Sequence, residues 1–106
     1  MRAIERVIRR LERARRPRLN ALAELLRAGV AVVRGDLEGA VRRYDAAATH
    51  LSAADLGLYA AVARRRRGEL LGGDAGRALI AEADAWMSAH GVKNPARMCD
   101  MLAPRG

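Results

Sequence analysis

The residues able to do chemistry in this chain fall into a few groups, and each has a plain structural reading beside the chemical one. Arg64-Arg65-Arg66-Arg67 is the densest run of charge. On a helix, four consecutive residues point in different directions roughly 100° apart, so the run cannot form one flat phosphate clamp. It reads as a solvated face, with Arg66 continuing the stripe of Tyr59, Val62 and Ala63 and laying its aliphatic stem along it. An acidic-partner contact is the sharper alternative; nucleic acid is a third, without an aromatic stacking platform to support it. Gly72-Gly73-Asp74-Ala75-Gly76 precedes a helix, as phosphate loops do, but lacks the G-K-[ST] ending. Asp74 would repel phosphate there, so a turn with Asp74 as N-cap is expected. His50 and His90 lie one per helix end, without metal-site spacing. Cys99 has no CxxC partner and reads as a half-buried small hydrophobe rather than a nucleophile. Trp86 and Met87 read as core under the last helix, with an exposed aromatic anchor as the alternative. No catalytic, cofactor-binding or metal-binding residue is expected, and no cofactor.

The elements that must carry these residues are bounded by composition. At 106 residues the chain suits a single domain, burying roughly 65% of its unfolded surface. One cysteine rules out an intramolecular disulfide, and aromatics at 3% argue against a β-sandwich or barrel. No run of about 18 apolar residues is present, and MRAIERVIRRLERARR is too charged for a signal-peptide core. The expectation is a soluble, cytoplasmic, all-α protein. Its net charge of +8 comes from 19 Arg and one Lys amid abundant Ala and Gly. G+C-rich codons produce that skew, which makes the basicity a weak pointer to nucleic acid.

Ile4, Val7, Ile8 and Leu11 form an i, i+3, i+4, i+7 stripe over 2–16, and Pro17 is expected to end that helix. A second helix, about 18–34, carries Leu19, Leu22, Leu25, Leu26, Val30 and Val33; Gly29 within it suggests close helix approach. Gly35-Asp36 reads as stop and N-cap before a third helix over 37–51. Ser52 with Asp55 resembles a capping box opening a fourth, 53–71. A fifth spans about 75–90, closed by Gly91. Asn94-Pro95 opens a short last helix, stopped by Pro104, with a Met98, Met101 and Leu102 core stripe.

Laying Gly35-Asp36 over Gly73-Asp74 gives an offset of 38 residues and matches Ala40 and Ala47 to Ala78 and Ala85. The stripe of the third helix then falls on Ala75, Ala78, Leu79, Glu82, Ala85, Trp86 and Ala89. Self-similarity at such a period signals a stacked helical array. Gly35-Asp36, Ala40, Tyr44 and Ala47 resemble the second-helix pattern of the tetratricopeptide (TPR) family, with Glu82 replacing the aromatic in the second copy. The first helix repeats the same stripe at a shift of 33, which gives an array that opens in mid-repeat.

From about residue 19 onward, Ala54-Asp55-Leu56-Gly57-Leu58-Tyr59, Gly68-Glu69-Leu70-Leu71-Gly72-Gly73-Asp74, Ala83-Asp84-Ala85-Trp86-Met87 and Asn94-Pro95-Ala96-Arg97-Met98 resemble the C-terminal tail of large bacterial serine/threonine protein kinases. That resemblance implies a terminal, TPR-like part of a multidomain signalling protein whose catalytic domain lies elsewhere; the chain itself has no kinase motif.

The combined expectation is a TPR-like α-solenoid fragment of antiparallel helical hairpins with about six helices. Residues 2–16 would be an unpaired first helix, 18–51 and 53–91 two hairpins, and 94–103 a cap. Function would be non-catalytic protein–protein interaction, with a protein or peptide partner, acidic ones favoured by the arginines, held on a face containing Arg27, Arg34, Tyr59 and Arg65. The alternatives are a structural, regulatory kinase fragment or a basic nucleic-acid binder. The open flank predicts a homodimer through Ile4, Val7, Ile8 and Leu11. No membrane partner is expected.

Overall fold

The computed structural model describes residues 2–102, with side chains over 3–10 and 16–102. The described residues are all-helical: α1 (Arg2–Val33), α2 (Leu37–Ala53), α3 (Gly57–Leu71), α4 (Gly73–Ala89) and α5 (Pro95–Leu102). Neighbours in sequence are neighbours in space: α1 packs on α2, α2 on α3 and α3 on α4, while α5 closes over α3 and α4. Two core clusters follow. One joins Ala21, Leu25, Ala28 and Ala31 of α1 to Ala40, Tyr44, Ala47 and Leu51 of α2 and Ala60 and Ala63 of α3. The other joins Val62, Ala83, Met87 and Cys99.

The first correction concerns Pro17, which lies inside α1 rather than ending a helix. The two expected helices are one of 32 residues. Proline removes one intrahelical hydrogen bond and crowds a carbonyl, at a cost of about 3 kcal/mol. Against that local penalty stands an apolar pattern that stays in phase across it. Ile8, Leu19 and Val30 are spaced by 11 residues, as are Leu11, Leu22 and Val33. Eleven residues make three helical turns with almost no drift. The shift-of-33 match to the third helix therefore does not mark a separate element.

Three corners share one hydrogen-bond scheme, in which the residue after a left-handed position donates back across the last turn. At Gly35 (φ 81°) the bond is Asp36 N–H to the Ala31 carbonyl, 2.9 Å. Gly91 (φ 87°) directs the Val92 N–H to Met87, 2.9 Å. The third corner is built on Asp55 (φ 61°), with Leu56 N–H bonding Leu51 at 2.8 Å. This overturns the Ser52–Asp55 capping box: Ser52 lies within α2, and the next helix starts at Gly57, not 53. Asp36 and Asn94 act as N-caps as expected, accepting from Gly39 N–H at 2.9 Å and Arg97 N–H at 3.1 Å.

The expected equivalence of Gly35-Asp36 and Gly73-Asp74 fails. α3 and α4 are joined by Gly72 alone, which has no side-chain cap to offer. Asp74 sits in the first turn of α4, exposed and paired with Arg77. Ala78, Glu82, Ala85 and Ala89 are all exposed, and α4 buries Gly76, Ala83 and Met87 instead. Counting from the caps, Asp36 and Gly72, gives an offset of 36, at which Ala40, Ala47 and Leu51 fall on Gly76, Ala83 and Met87, all buried.

Two smaller expectations change with these. A Cβ on Gly29 would lie 3.9 Å from Tyr44 Oη, an ordinary contact, so that glycine does not serve a close approach. The close approach is at Gly68 of α3, where a Cβ would stand 2.7 Å from the Gly76 carbonyl of α4. Met101 is exposed rather than core. Pro104 and Ala103 lie outside the described residues.

Candidate functional site

The feature with the most unspent chemistry is a basic groove between the C-terminal half of α1 and the N-terminal half of α2. Alanines at 28, 31 and 40 fill the seam between these helices, so long side chains stand at its rim. Arg27 and Arg34 are seven residues apart, two helical turns, and share one face of α1. With Val30, Ala31, Asp36 and Arg43 they line a concavity of about 220 Å³. Arg43 also lines an adjoining one of about 170 Å³ with Glu24, Arg27 and Ala46. A third, about 250 Å³, adds Asp36, Gly39, Arg42 and Ala46.

Four guanidinium groups thus meet only two carboxylates, and both carboxylates are engaged. Asp36 accepts the Gly39 N–H, and a Glu24 oxygen lies 2.6 Å from His50 Nδ1. Among the described residues, Arg27, Arg34, Arg42 and Arg43 form no ion pair. Each concavity is smaller than the roughly 300–1,000 Å³ of an enclosed small-molecule site. Converging like charge over a shallow surface attracts an anionic partner and speeds its encounter.

The structure brings Arg27 and Arg34 together and places Tyr59 and Arg65 elsewhere. Tyr59 packs, half-buried, against the first core cluster. Arg65 has 14% of its side chain exposed and bonds Asp84 through Nε at 2.8 Å, with Glu69 3.5 Å from Nη1. The solvated-face reading of Arg64–Arg67 is corrected accordingly. Arg66 is buried, with Nη1 2.6 Å from Glu69 and Nη2 2.8 Å from Asp100, so one guanidinium ties α3 to α5. Burial opposes the charge on Arg65 and Arg66. The hydrogen bonds to Asp84 and to Asp100 and Glu69 outweigh it and hold both above the ordinary guanidinium range. Arg67 approaches Asp45 of α2 at 3.7 Å. Arg65, Arg66 and Arg67 are internal wiring between helices. A sequence signal for this existed in Arg66, which falls on the apolar stripe of its helix.

The remaining candidates sit apart from the groove. His50 and Glu24 line a cleft of about 390 Å³ with Pro17, Asn20, Ala21, Ala53 and Ala54, a set with no hydroxyl or thiol nucleophile. His90 stacks on Trp86 at 3.8 Å between ring centroids, and its Nδ1 lies 2.7 Å from the Trp86 carbonyl. Cys99 is fully buried; burial, against the opposing charges of Arg66 and Arg65, pushes its thiol up to about 11. Among the described residues no three His, Cys, Asp or Glu side chains gather as a metal site, and no helix is long and apolar enough to cross a membrane.

Of the residues expected to self-associate, Ile4, Val7 and Ile8 are exposed, and the Leu11 side chain lies outside the described residues. Beyond Arg18, whose Nε donates to the Ala54 carbonyl at 3.3 Å, α1 runs past the end of α2. The family models, curated proteins and solved structures compared with this chain yield no match.

Proposed function

We propose that the chain is a non-catalytic helical-repeat module that docks an acidic protein segment in the groove between α1 and α2. The observation that carries this is the convergence of Arg27, Arg34, Arg42 and Arg43 around carboxylates already bonded elsewhere. The repeat reading is supported by the shared burial pattern of α2 and α4 at an offset of 36 residues, near the 34 of TPR arrays. On this view α1–α2 and α3–α4 are two antiparallel hairpins stacked as a short solenoid, which leaves one flank of the first for a ligand. An acidic segment would place two or three carboxylates on the arginine forks, where bidentate pairing gives orientation as well as attraction.

Fluorescence anisotropy with a labelled twelve-residue glutamate-rich peptide tests this reading. Binding should weaken at least tenfold in Arg27→Ala/Arg43→Ala and be absent for a lysine-rich peptide. Equal binding by that variant would overturn the groove assignment. Tighter binding to a labelled duplex DNA, with a steep salt slope, would replace it with the nucleic-acid reading.

A further inference from the structure

Seven of the ten large hydrophobics exposed on the described surface belong to α1. Six of them, Ile4, Ile8, Leu19, Leu26, Val30 and Val33, fall on one face along its whole length. α2 covers a different face, the one carrying Ala21, Leu25, Ala28 and Ala31. With Leu26 70% and Val33 71% exposed, the stripe amounts to roughly 700 Å² of apolar surface, above the roughly 300–600 Å² of the largest patch on a typical monomer.

We infer that this stripe is the interface of an antiparallel homodimer, in which the N-terminal half of each α1 lies on the C-terminal half of the other. Two observations select a second copy as the occupant, and a third its orientation. Fully covered, two such stripes remove up to roughly 1,400 Å² from water, which reaches the roughly 1,200–2,000 Å² of a stable interface. The pattern is also close to its own complement when reversed about the point between Arg18 and Leu19: Ile4 meets Val33 and the Leu11 position meets Leu26, with Ile8 one residue out of step with Val30. A two-fold pairing requires that self-match. Charge then selects the orientation. Residues 2–18 hold eight arginines against two glutamates, whereas residues 19–34 hold Arg27 and Arg34 against Glu24. A parallel pair would stack the two strongly basic halves; the antiparallel pair sets each against a nearly neutral one. Arg6, Arg9, Arg16 and Arg27 lie roughly 80–160° round from the stripe at 100° per residue, at its margin or in water, and Arg15 is the one arginine whose position falls within it. The 11-residue spacing keeps the seam nearly straight over about 48 Å of helix. The bodies hang from opposite ends of the paired helices.

The stripe shares Val30 with the groove, but its test substitutes positions outside the groove and reads a different quantity. Sedimentation equilibrium of the full chain from 1 to about 100 µM should give twice the 11.5 kDa chain mass. Leu26→Asp, at a site too exposed to affect the fold, should weaken association at least tenfold with unchanged circular dichroism. Leu19→Cys should form an interchain disulfide with itself under mild oxidant; Ile4→Cys should cross-link only when Val33→Cys is also present. A monomer throughout, or a Leu26→Asp dimer as tight as the parent, overturns the interface. Self-linking Ile4→Cys overturns the antiparallel register. A chain that stays monomeric yet binds phosphatidylglycerol vesicles, and loses that binding in Leu26→Asp, assigns the stripe to a membrane surface and overturns the dimer.

Discussion

Arg66 shows how far a side chain's surroundings can depart from its sequence neighbours. Four consecutive arginines suggest solvent, yet Arg66 is 3% exposed and joins Glu69 to Asp100. Truncating it removes the guanidinium that joins Glu69, 19% exposed, to Asp100 and leaves a void along its stem. Arg66→Ala should cost about 3 kcal/mol in urea unfolding, and Arg66→Met clearly less, because the stem's packing is restored. Equal losses would show that the charge, not the stem, matters. Cys99 sets the alkaline limit. Burial pushes its thiol up to about 11 in the fold from an ordinary 9.0, so the folded state binds the proton more tightly. The stability this gives is complete below about pH 9 and is lost as pH rises through about 11. Tyr44, raised chiefly by burial and further by Glu69 against the opposing pull of Arg66, adds to the loss above pH 10. A melting-temperature series from pH 8 to 11 should fall less steeply for Cys99→Ala than for the parent chain.

Among the elements, corners that relied on glycine, asparagine or aspartate caps were readable: Gly35-Asp36, Gly91 and Asn94-Pro95 stand where their chemistry puts them. Asp55 was hidden because the left-handed position it fills belongs more often to glycine, and Ser52 offered a plausible but false start. The Gly73-Asp74 dipeptide misled in the same way. It repeats the letters of the first corner, while the true boundary is Gly72, and a two-residue error of register turned every matched alanine onto the wrong face. Pro17 misled because its local rule is strong, whereas the pattern that overrides it spans 30 residues, Ile4 to Val33. Of the site, Arg27 and Arg34 were legible as a pair on one helix; Arg42 and Arg43 were not, since only tertiary packing brings α2 beside them.

The glycines inside helices give opposite predictions. Gly29→Ala should stabilise the chain by up to about 1 kcal/mol, since its side has room and alanine is the better helix former. Gly76→Ala should destabilise it by 2 kcal/mol or more (about the cost of overpacking a tight core), because the added methyl would run into the Gly68 backbone carbonyl, which cannot rotate away. Urea midpoints of the two variants moving in the same direction would contradict this account.

At the scale of the molecule, extents of 57 × 33 × 21 Å describe a body of four helices with one much longer edge. Among the described residues each helix leans mainly on its sequence neighbours, and α3 packs against three others, α2, α4 and α5. The two ends of the structure therefore communicate through a single rod. Unzipping that starts at α1 can halt at α2, but damage to α3 uncouples everything on either side of it. Through Arg65, Arg66 and Arg67 the same rod clamps α4, α5 and α2. Arg65, Arg66 and Arg67 thus gather the charged ties from α3 to three other helices into a single helical turn.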